Sequence, residues 1–597
     1  MKPTQLAAAV LLATGSVSAI AATYSITPVP LQDKAQISFA RSIDNSGKML
    51  ASVQSEYNQP VDLEKLENDT IFFSSFGSSL ESEDDVRQGV FSDVDYTTII
   101  GFIRDNRNGI TGQKLGIYRT YITDTVNAEL VPGLDQITDQ FDDYTQSVQA
   151  LGRDSINGDY IVGDSSALVI TDVYEREDGE VFNYTYPTSA EQAFVQASGE
   201  TKLLPPVDST AGGLGSARAV NNNLQVAGFS TVSFQDDVTN ALDTCADEET
   251  RGATSEGRCL FSVYNGTFTL PRISQSFINT SLVNSSSFFS QSSVPNFVLL
   301  SQVNATIWQL DVNGNVIDTQ TYAPLVDIQE DDTAYYFSAA YDINDQGIAV
   351  GESLTGDLRR IVRPAVGSGV NESERVATVF RDGETTELLN RDDNLSSQAI
   401  AINDNNWITG SVLRSTSGVA RERMFVMNLD TQELKFPEGF FKSAGVSVNA
   451  INNNNIVVGK AESEVTSETS RQTSAFMYNI ESEAFVDLND LVACDSEYTL
   501  VEAVDINDNN EIIANARIKS TSKYVTGVDF INSNGETVEI DTVVAVKLDP
   551  IANGEVEQCE IPEDERPFER SGAAMSWFSG ALLAGLALFR RRRNVSK

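Results

Sequence analysis

One short phrase recurs seven times along this 597-residue chain. It consists of a small or apolar pair, an Asn or Asp, two or three turn-forming residues, and an apolar triplet that usually ends in Gly. The Asn or Asp of each copy, which we call its anchor, is Asp44, Asn157, Asn221, Asn344, Asn403, Asn452 or Asn507. Because a repeated supersecondary unit can bury its apolar face only against neighbouring copies, this recurrence predicts a repeat fold.

The copy that begins at Ala399 shows the strands of one unit. Two short apolar runs, 399–402 and 407–412, are separated by Asn- and Asp-rich turn residues, which is typical of a β-hairpin. Two further runs, 423–428 and 433–436, complete four strands. Four strands per unit, repeated around a ring, is the design of a β-propeller. We therefore expect an all-β propeller, with an open β-solenoid as the alternative.

The spacing of the anchors sets the expected number of blades. Four of the six intervals between successive anchors are 49–64 residues long, and the other two are about twice that. The two long intervals are interpreted as two units each, with degenerate copies near 95–101 and 297–310. This gives about eight blades, and the abundance of Val, Ile, Thr, Phe and Tyr favours strands over nearly all of the ordered chain.

Both ends of the chain carry targeting patterns. Lys2, an apolar run and small residues ending at Ala21 predict a signal peptide over 1–21. The repeat ectodomain is then expected over 22–560, followed by a linker over 561–572. An apolar stretch over 573–589 is at the short end for a membrane-spanning helix. The basic tail over 590–597 begins with Arg590, Arg591, Arg592 and Arg593. The positive-inside rule predicts that these arginines lie in the cytoplasm.

Two resemblances follow from these motifs. The tail resembles the GlyGly-type C-terminal sorting signals of Gram-negative secreted proteins, although Ser571-Gly572 stands where a Gly pair is expected. That resemblance implies cleavage by a sorting protease, so the protein is expected either anchored in the inner membrane on the periplasmic side, or at the cell surface or secreted after processing. The repeats resemble the HAF-type extracellular repeat and an uncharacterised gammaproteobacterial family. They imply an exported repeat protein and bring no known catalytic residue, ligand or partner.

Composition excludes several classes of function. The formal net charge of -44 argues against binding to a nucleic-acid backbone, which requires clustered Lys and Arg. The chain has no His, which removes Ser-His-Asp and Cys-His catalysis and every metal site built on imidazole. We expect no catalytic, cofactor-binding or metal-binding residues.

Two features of the repeat have a functional as well as a structural interpretation. The loops that start at Asp342 and Asp505 resemble the beginning of an EF-hand calcium loop, but Ser353 and Ala516 stand at the twelfth position, where a Glu is needed. Asn and Asp also favour turns, and that interpretation is preferred. The Gly that ends the second strand, as in Gly163, Gly228, Gly351, Gly410 and Gly459, would admit a ligand or, more simply, allow adjacent sheets to approach closely.

Four Cys in an exported chain predict disulfides. Cys245 and Cys259 bracket an acidic loop and are expected to pair locally, which leaves Cys494 and Cys559 to join the last repeat to the segment before the tail. Four Cys allow three pairings, so this one is a prediction.

These observations favour a non-enzymatic β-propeller that acts in binding or scaffolding through its loops. Its expected partner is an unknown protein or glycan at the cell surface, with membrane contact through the C-terminal helix. The alternatives are a carbohydrate-active enzyme that uses two loop carboxylates, and a purely structural envelope protein.

Overall fold

The strands of this chain close into a ring of seven blades. A computed structural model describes residues 23–69, 71–106, 112–189, 191–267, 301–328, 336–362, 369–416, 419–465 and 471–556. Within these ranges there are seven four-stranded antiparallel sheets and two small two-stranded ones. The ends of the seven first strands line one shared cavity, so the first strand of each sheet is innermost. This is the architecture of a β-propeller.

Each blade has four strands, which are numbered from the innermost outwards. Their bounds are Ile37–Ile43, Met49–Gln54, Tyr118–Thr123 and Ala128–Val131 in blade 1; Ala150–Ile156, Tyr160–Ser165, Gln192–Ala197 and Glu200–Leu204 in blade 2; Gly215–Val220, Gln225–Phe234, Ser301–Leu310 and Val316–Tyr322 in blade 3; Tyr336–Ile343, Ala349–Val362, Gly369–Arg381 and Glu384–Glu387 in blade 4; Ser396–Ile402, Trp407–Thr416, Val419–Asn428 and Leu434–Lys435 in blade 5; Val446–Ile451, Ile456–Val465, Arg471–Asn479 and Ala484–Asp487 in blade 6; and Thr499–Ile506, Ile512–Thr521, Glu539–Ile551 and Thr23–Pro28 in blade 7.

The N-terminal strand closes the ring. Thr23–Pro28 pairs antiparallel with Glu539–Ile551 and forms the outer edge of blade 7. Because the outermost strand of blade 7 comes from the N-terminal part of the chain, backbone hydrogen bonds within this sheet join the first and last strands of the propeller. Tyr24 is buried, and its hydroxyl donates to the backbone carbonyl of Asn510 at 3.2 Å.

The hydrophobic core is divided into layers between adjacent blades. Val350 and Val379 of blade 4, for example, pack with Ile408 and Phe425 of blade 5. Met49 of blade 1 packs in the same way against the strands of blade 7, in a cluster that includes Ile513 and Ala545. Each blade therefore buries its apolar faces only against its neighbours, as the repeat predicts.

The prediction of an all-β propeller is confirmed, but the number of blades is seven rather than eight. The two long anchor intervals contain insertions instead of second units. Residues 95–101, interpreted as a degenerate copy, lie in the helix Asp93–Asp105, and residues 301–310 form the third strand of blade 3. The solenoid alternative is wrong because the sheets close into a ring.

Insertions between second and third strands occur on one face of the ring. Blade 1 carries the helices Leu63–Asn68, Phe72–Phe76, Glu83–Arg87 and Asp93–Asp105 and the 3-10 turn Gly77–Ser79; blade 2 carries the hairpin Val169–Glu175 and Val181–Pro187; and blade 3 carries the helices Asp236–Ala246, Glu248–Arg251 and Glu256–Thr267. Elsewhere, a two-stranded ribbon, Ile137–Thr138 with Asp143–Tyr144, links blades 1 and 2, and a 3-10 turn, Leu488–Leu491, follows blade 6.

The helical insertions of blades 1 and 3 depart from the expectation that nearly all of the ordered chain is β. Since the first-to-second strand turns lie on the opposite face of an up-and-down blade, the insertions all extend from the face away from the anchors.

The predicted signal peptide, linker, C-terminal helix and basic tail lie outside the described residues. Among the residues that the structure does describe, no helix has the length and apolar character needed to cross a membrane.

Candidate functional site

Six of the seven anchors build the same turn. The side-chain oxygen of each accepts the backbone N–H groups two and four residues further on, at 2.9 to 3.2 Å. The residue three positions after the anchor has a positive φ, between 56° and 80°. Short polar side chains satisfy such a turn locally, which is why Asn or Asp recurs there. The six are Asp44, Asn221, Asn344, Asn403, Asn452 and Asn507.

These turns are also hydrogen-bonded to one another around the mouth of the channel, in what we call the turn ladder. The Nδ2 group of each Asn anchor donates to the backbone carbonyl of the next blade's anchor at 2.8 to 3.3 Å. One residue further on, a backbone N–H donates to the side-chain oxygen of the next blade's equivalent residue at 2.8 to 2.9 Å. The ladder runs without a break from blade 3 to blade 1 and ends at Asp44.

Blade 2 interrupts the ladder. Ile156 occupies its anchor position, and Asn157 follows it with a φ of 53°. Gly158 has a φ of 70°, so the turn is of the type that favours Asn-Gly. Asp44 has no amide to donate to blade 2, and its carboxylate instead accepts the Ser155 hydroxyl at 3.4 Å.

All seven innermost strands carry a β-bulge at one position. The bulge lies between residues 40 and 42 in blade 1, and in the other blades it lies between the equivalent positions. The extra residues are Arg41, Arg153, Arg218, Tyr341, Ile400, Asn449 and Val504, and all seven line a cavity of about 310 Å³ at the mouth of the central channel. A bulge redirects a side chain that the regular strand would aim elsewhere.

The bulge explains the repeated Gly. At Gly351 an added Cβ would clash with the backbone carbonyl oxygen of Ala339, two residues before the bulge, and the same relationship holds at Gly163, Gly228, Gly410 and Gly459. The close approach is therefore within one blade, and the predicted approach between adjacent sheets is not the reason for these Gly residues.

Three aspartates lie beside the bulges, at the next residue along the strand. Asp154 accepts the backbone N–H of Val220 in the next blade at 2.8 Å. Burial raises the pKa of Asp154 to about 6, and burial together with the other carboxylates raises the pKa of Asp342 and of Asp505 to about 7. These three carboxyl groups face the same cavity and link neighbouring blades.

The calcium interpretation finds no support in this geometry. Asp342 and Asp505, the first residues of the two candidate loops, each accept two backbone N–H groups, from Ile343 and Ile402 and from Ile506 and Ile43. In the described part of the chain no group of three or more Asp, Glu or Cys is placed to hold a metal ion.

Three arginines on adjacent blades form the basic side of the cavity. Arg153 pairs with the buried Asp164 at 2.7 Å, and Asp164 also accepts the Ser216 hydroxyl at 2.7 Å. Burial, followed by repulsion from Arg153, lowers the pKa of Arg41 and of Arg218 to about 10. Sequence reasoning missed this cluster, although each Arg stands three residues before the anchor position of its blade.

On the opposite face the insertions of blades 7, 1, 2 and 3 contact one another, and we call them the crown (residues 522–538, 55–117, 166–191 and 235–267). Thr526 of blade 7 donates to Asp93 of blade 1 at 2.6 Å. Lys65 of blade 1 donates to Thr171 of blade 2 at 3.2 Å. Tyr186 of blade 2 stacks on Phe261 of blade 3 with ring centres 5.1 Å apart.

The disulfide prediction is confirmed for Cys245 and Cys259, which join two helices of the crown. The second predicted bridge stays a prediction, because Cys559 lies outside the described residues. The sorting residues Ser571, Gly572 and Arg590 to Arg593 lie outside them as well.

Solved structures that the chain is similar to include three peptidases. The β-propeller domain of the trilobed protease from Pyrococcus furiosus is 8% identical with a TM-score of 0.25, covering 70% of this chain and 97% of that chain. Prolyl oligopeptidase B from Galerina marginata is 9% identical with a TM-score of 0.30, covering 87% and 65%. The acylaminoacyl peptidase of Pyrococcus horikoshii is 10% identical with a TM-score of 0.26, covering 60% and 47%. At these values the likeness carries no argument about function.

A search of the curated proteins found no match to this chain. One family model, described as "Protein of unknown function (DUF3466)", matches residues 2–592. Since that match spans nearly the whole sequence, the chain belongs to this family.

Proposed function

We propose that the protein is an exported, non-enzymatic binding protein in which the crown recognises a macromolecular partner and the seven blades hold the crown in place. The observation that carries this proposal is the side-by-side contact of four insertions on one face. Loops held on a rigid scaffold are the usual location of recognition surfaces. The turn ladder ties the blades together on the opposite face, whereas the insertions between second and third strands lie in the crown.

The surface composition of the crown supports binding. Val173 and Val181 are 65% and 55% exposed on the hairpin of blade 2, and Ile71, Phe76 and Val90 are exposed on the insertion of blade 1. Exposed apolar side chains of this kind are available for contact with a protein partner. Export is supported by the signal-peptide layout and by the Cys245–Cys259 disulfide, because such bonds persist in oxidising compartments.

The glycosidase alternative gains no comparable support. It requires one carboxyl group that donates a proton and a second one that is free to attack or to activate water. The three aspartates of the channel are each engaged by two backbone N–H groups, so they are held at strand edges.

Photo-cross-linking in the cells that produce the protein tests the proposal. A photoreactive residue is placed at 173 on the crown and, as the matched control, at 312, where Val312 is 72% exposed on the anchor face. We expect a discrete adduct from 173 that the V181D substitution weakens, and none from 312. Equal labelling from both positions, no adduct at 173, or hydrolysis of a polysaccharide by the purified protein would overturn the proposal.

A further inference from the structure

The bulge layer of the channel carries its positive charges on one side. Arg41, Arg153 and Arg218 come from the consecutive blades 1, 2 and 3, whereas Ile400 and Asn449 of blades 5 and 6 line the opposite side of the cavity. Arg153 is the main charged group acting on both other arginines, and it opposes their protonation. The three guanidinium groups are thus close enough to repel one another in a partly buried cavity.

The acids around this layer are engaged by other groups. Asp154, Asp342 and Asp505 line the same cavity, and each of them accepts two backbone N–H groups. Asp164 pairs with Arg153. Burial, followed by the charge of Asp164, raises the pKa of Glu191 well above its usual value and so reduces the negative charge that it offers. Glu502 is engaged by Lys460 at 3.0 Å and by Asn515 at 3.1 Å.

Arg41 gives a second, independent observation. Its Nε group donates to the Ser52 hydroxyl at 3.1 Å, but its Nη2 group is buried and has no hydrogen-bond partner among the described residues. A buried, charged donor without an acceptor is costly, and in native proteins it usually marks a place that an acceptor fills. Arg41 lines the cavity, so the missing acceptor would come from the channel.

We propose that the channel mouth binds a small organic anion, with its carboxylate or phosphate group among Arg41, Arg153 and Arg218 and its body against Ile400 and Asn449. The cavity of about 310 Å³ suits a metabolite-sized molecule. Guanidinium groups are the preferred partners of carboxylates and phosphates because they donate in a planar fork. The site is on the opposite face from the crown, so the proposal stands independently of the proposed function.

Calorimetric titration of the purified full-length protein tests the site. The probes are glucuronate, its uncharged counterpart glucose, succinate and inorganic phosphate, and the last two distinguish a carboxylate from a phosphate ligand. We expect saturable binding of at least one anion, no binding of glucose, and weaker binding as salt is raised.

Substitutions then assign the binding to the arginines. R41Q and, separately, R218Q should each weaken the anion at least tenfold, whereas R381Q, which removes the same charge from an exposed position, should leave affinity unchanged. The folding of each variant is checked by comparing its thermal melting with that of the unsubstituted protein. If R41Q does not fold, R218Q provides the test. The proposal is overturned if no anion binds at 10 mM, if glucose binds as tightly as glucuronate, or if the affinity of a folded R41Q or R218Q variant equals that of the unsubstituted protein.

Discussion

The carboxylate of Asp505 in the last blade accepts the backbone N–H of Ile43 in the first blade at 2.8 Å. Asp342 joins blade 4 to Ile402 of blade 5 at the same distance. Innermost strands expose an unpaired edge to the channel, and these side chains supply the missing acceptor there. The ring is therefore closed on the inside by side chains as well as on the outside by the N-terminal strand.

These carboxylates make stability depend on pH. Desolvation, followed by the charges of Asp154 and Asp505, raises the pKa of Asp342 to about 7 from the ordinary 3.8. Between these values the folded state holds a proton that the unfolded state has lost. The contribution to the free energy of unfolding is thus fully present below about pH 4 and is lost as the pH rises through about 7.

We predict that D342N flattens this dependence. Replacing the carboxyl group removes its titration, so the variant should gain stability relative to the unsubstituted protein on going from pH 5 to pH 8, by on the order of 2–4 kcal/mol. The melting temperature at both pH values measures it. D392N, at an exposed position, is the matched control and should melt in parallel with the unsubstituted protein at both values. An unchanged difference between D342N and the unsubstituted protein would contradict the prediction.

A second prediction concerns the turn ladder. In N403D the remaining oxygen still accepts the N–H groups of Asn405 and Trp407, but a second oxygen replaces the donor to the carbonyl of Asn452. Two acceptor oxygens then face each other with no proton between them, which should lower the free energy of unfolding by about 2 kcal/mol. Urea denaturation measures the loss.

Two controls separate the ladder from the change in charge. N534D makes the same substitution in an exposed turn and should have little effect. D44N is the reverse change at the end of the ladder, where the neighbour is the Ser155 hydroxyl, which can donate or accept, and it should also be nearly neutral. Equal losses in N403D and N534D would show that the ladder does not stabilise the fold.

The blades were predictable from sequence because each first hairpin carries its own turn signal. The crown was not predicted, although Ser92 caps the helix Asp93–Asp105 and the apolar residues Tyr96, Ile99, Ile100 and Ile103 have helical spacing. An interval twice the usual length fits an insertion as well as a second unit, so the blade count came out one too high.

The candidate site was less predictable than the fold. A bulge shifts the side-chain alternation of a strand by one residue, so a strand pattern alone places Arg41 or Arg218 on the wrong face. Their shared position three residues before the anchor level was visible in the sequence. The significance of that position depends on seven strands from different repeats meeting at one axis, and the sequence of a single repeat does not show this.

The bulge itself leads to a third prediction. G351A should lower the free energy of unfolding by on the order of 3 kcal/mol, because the new methyl group meets the rigid carbonyl of Ala339 and the blade must shift. The matched control is G101A, since Gly101 lies inside a helix and an added Cβ there meets nothing within 4 Å. That variant should gain about 0.5–1 kcal/mol through helix propensity. Melting temperatures that move in opposite directions would confirm both; a tolerated G351A would show that the bulge can relax.

The last prediction concerns the disulfide of the crown. Cys245 and Cys259 close a loop with a sequence separation of 14, and such a cross-link contributes about 3 kcal/mol by restricting the unfolded loop. Because the loop belongs to an insertion outside the blades, we expect this stability to be local. In the C245A/C259A variant, limited proteolysis within 236–267 should accelerate by roughly 100-fold while cleavage of the blades is unchanged. Reductant should reproduce the effect in the unsubstituted protein and add nothing to the variant. Faster cleavage at the turns of the ladder would instead show that the crown stabilises the whole ring.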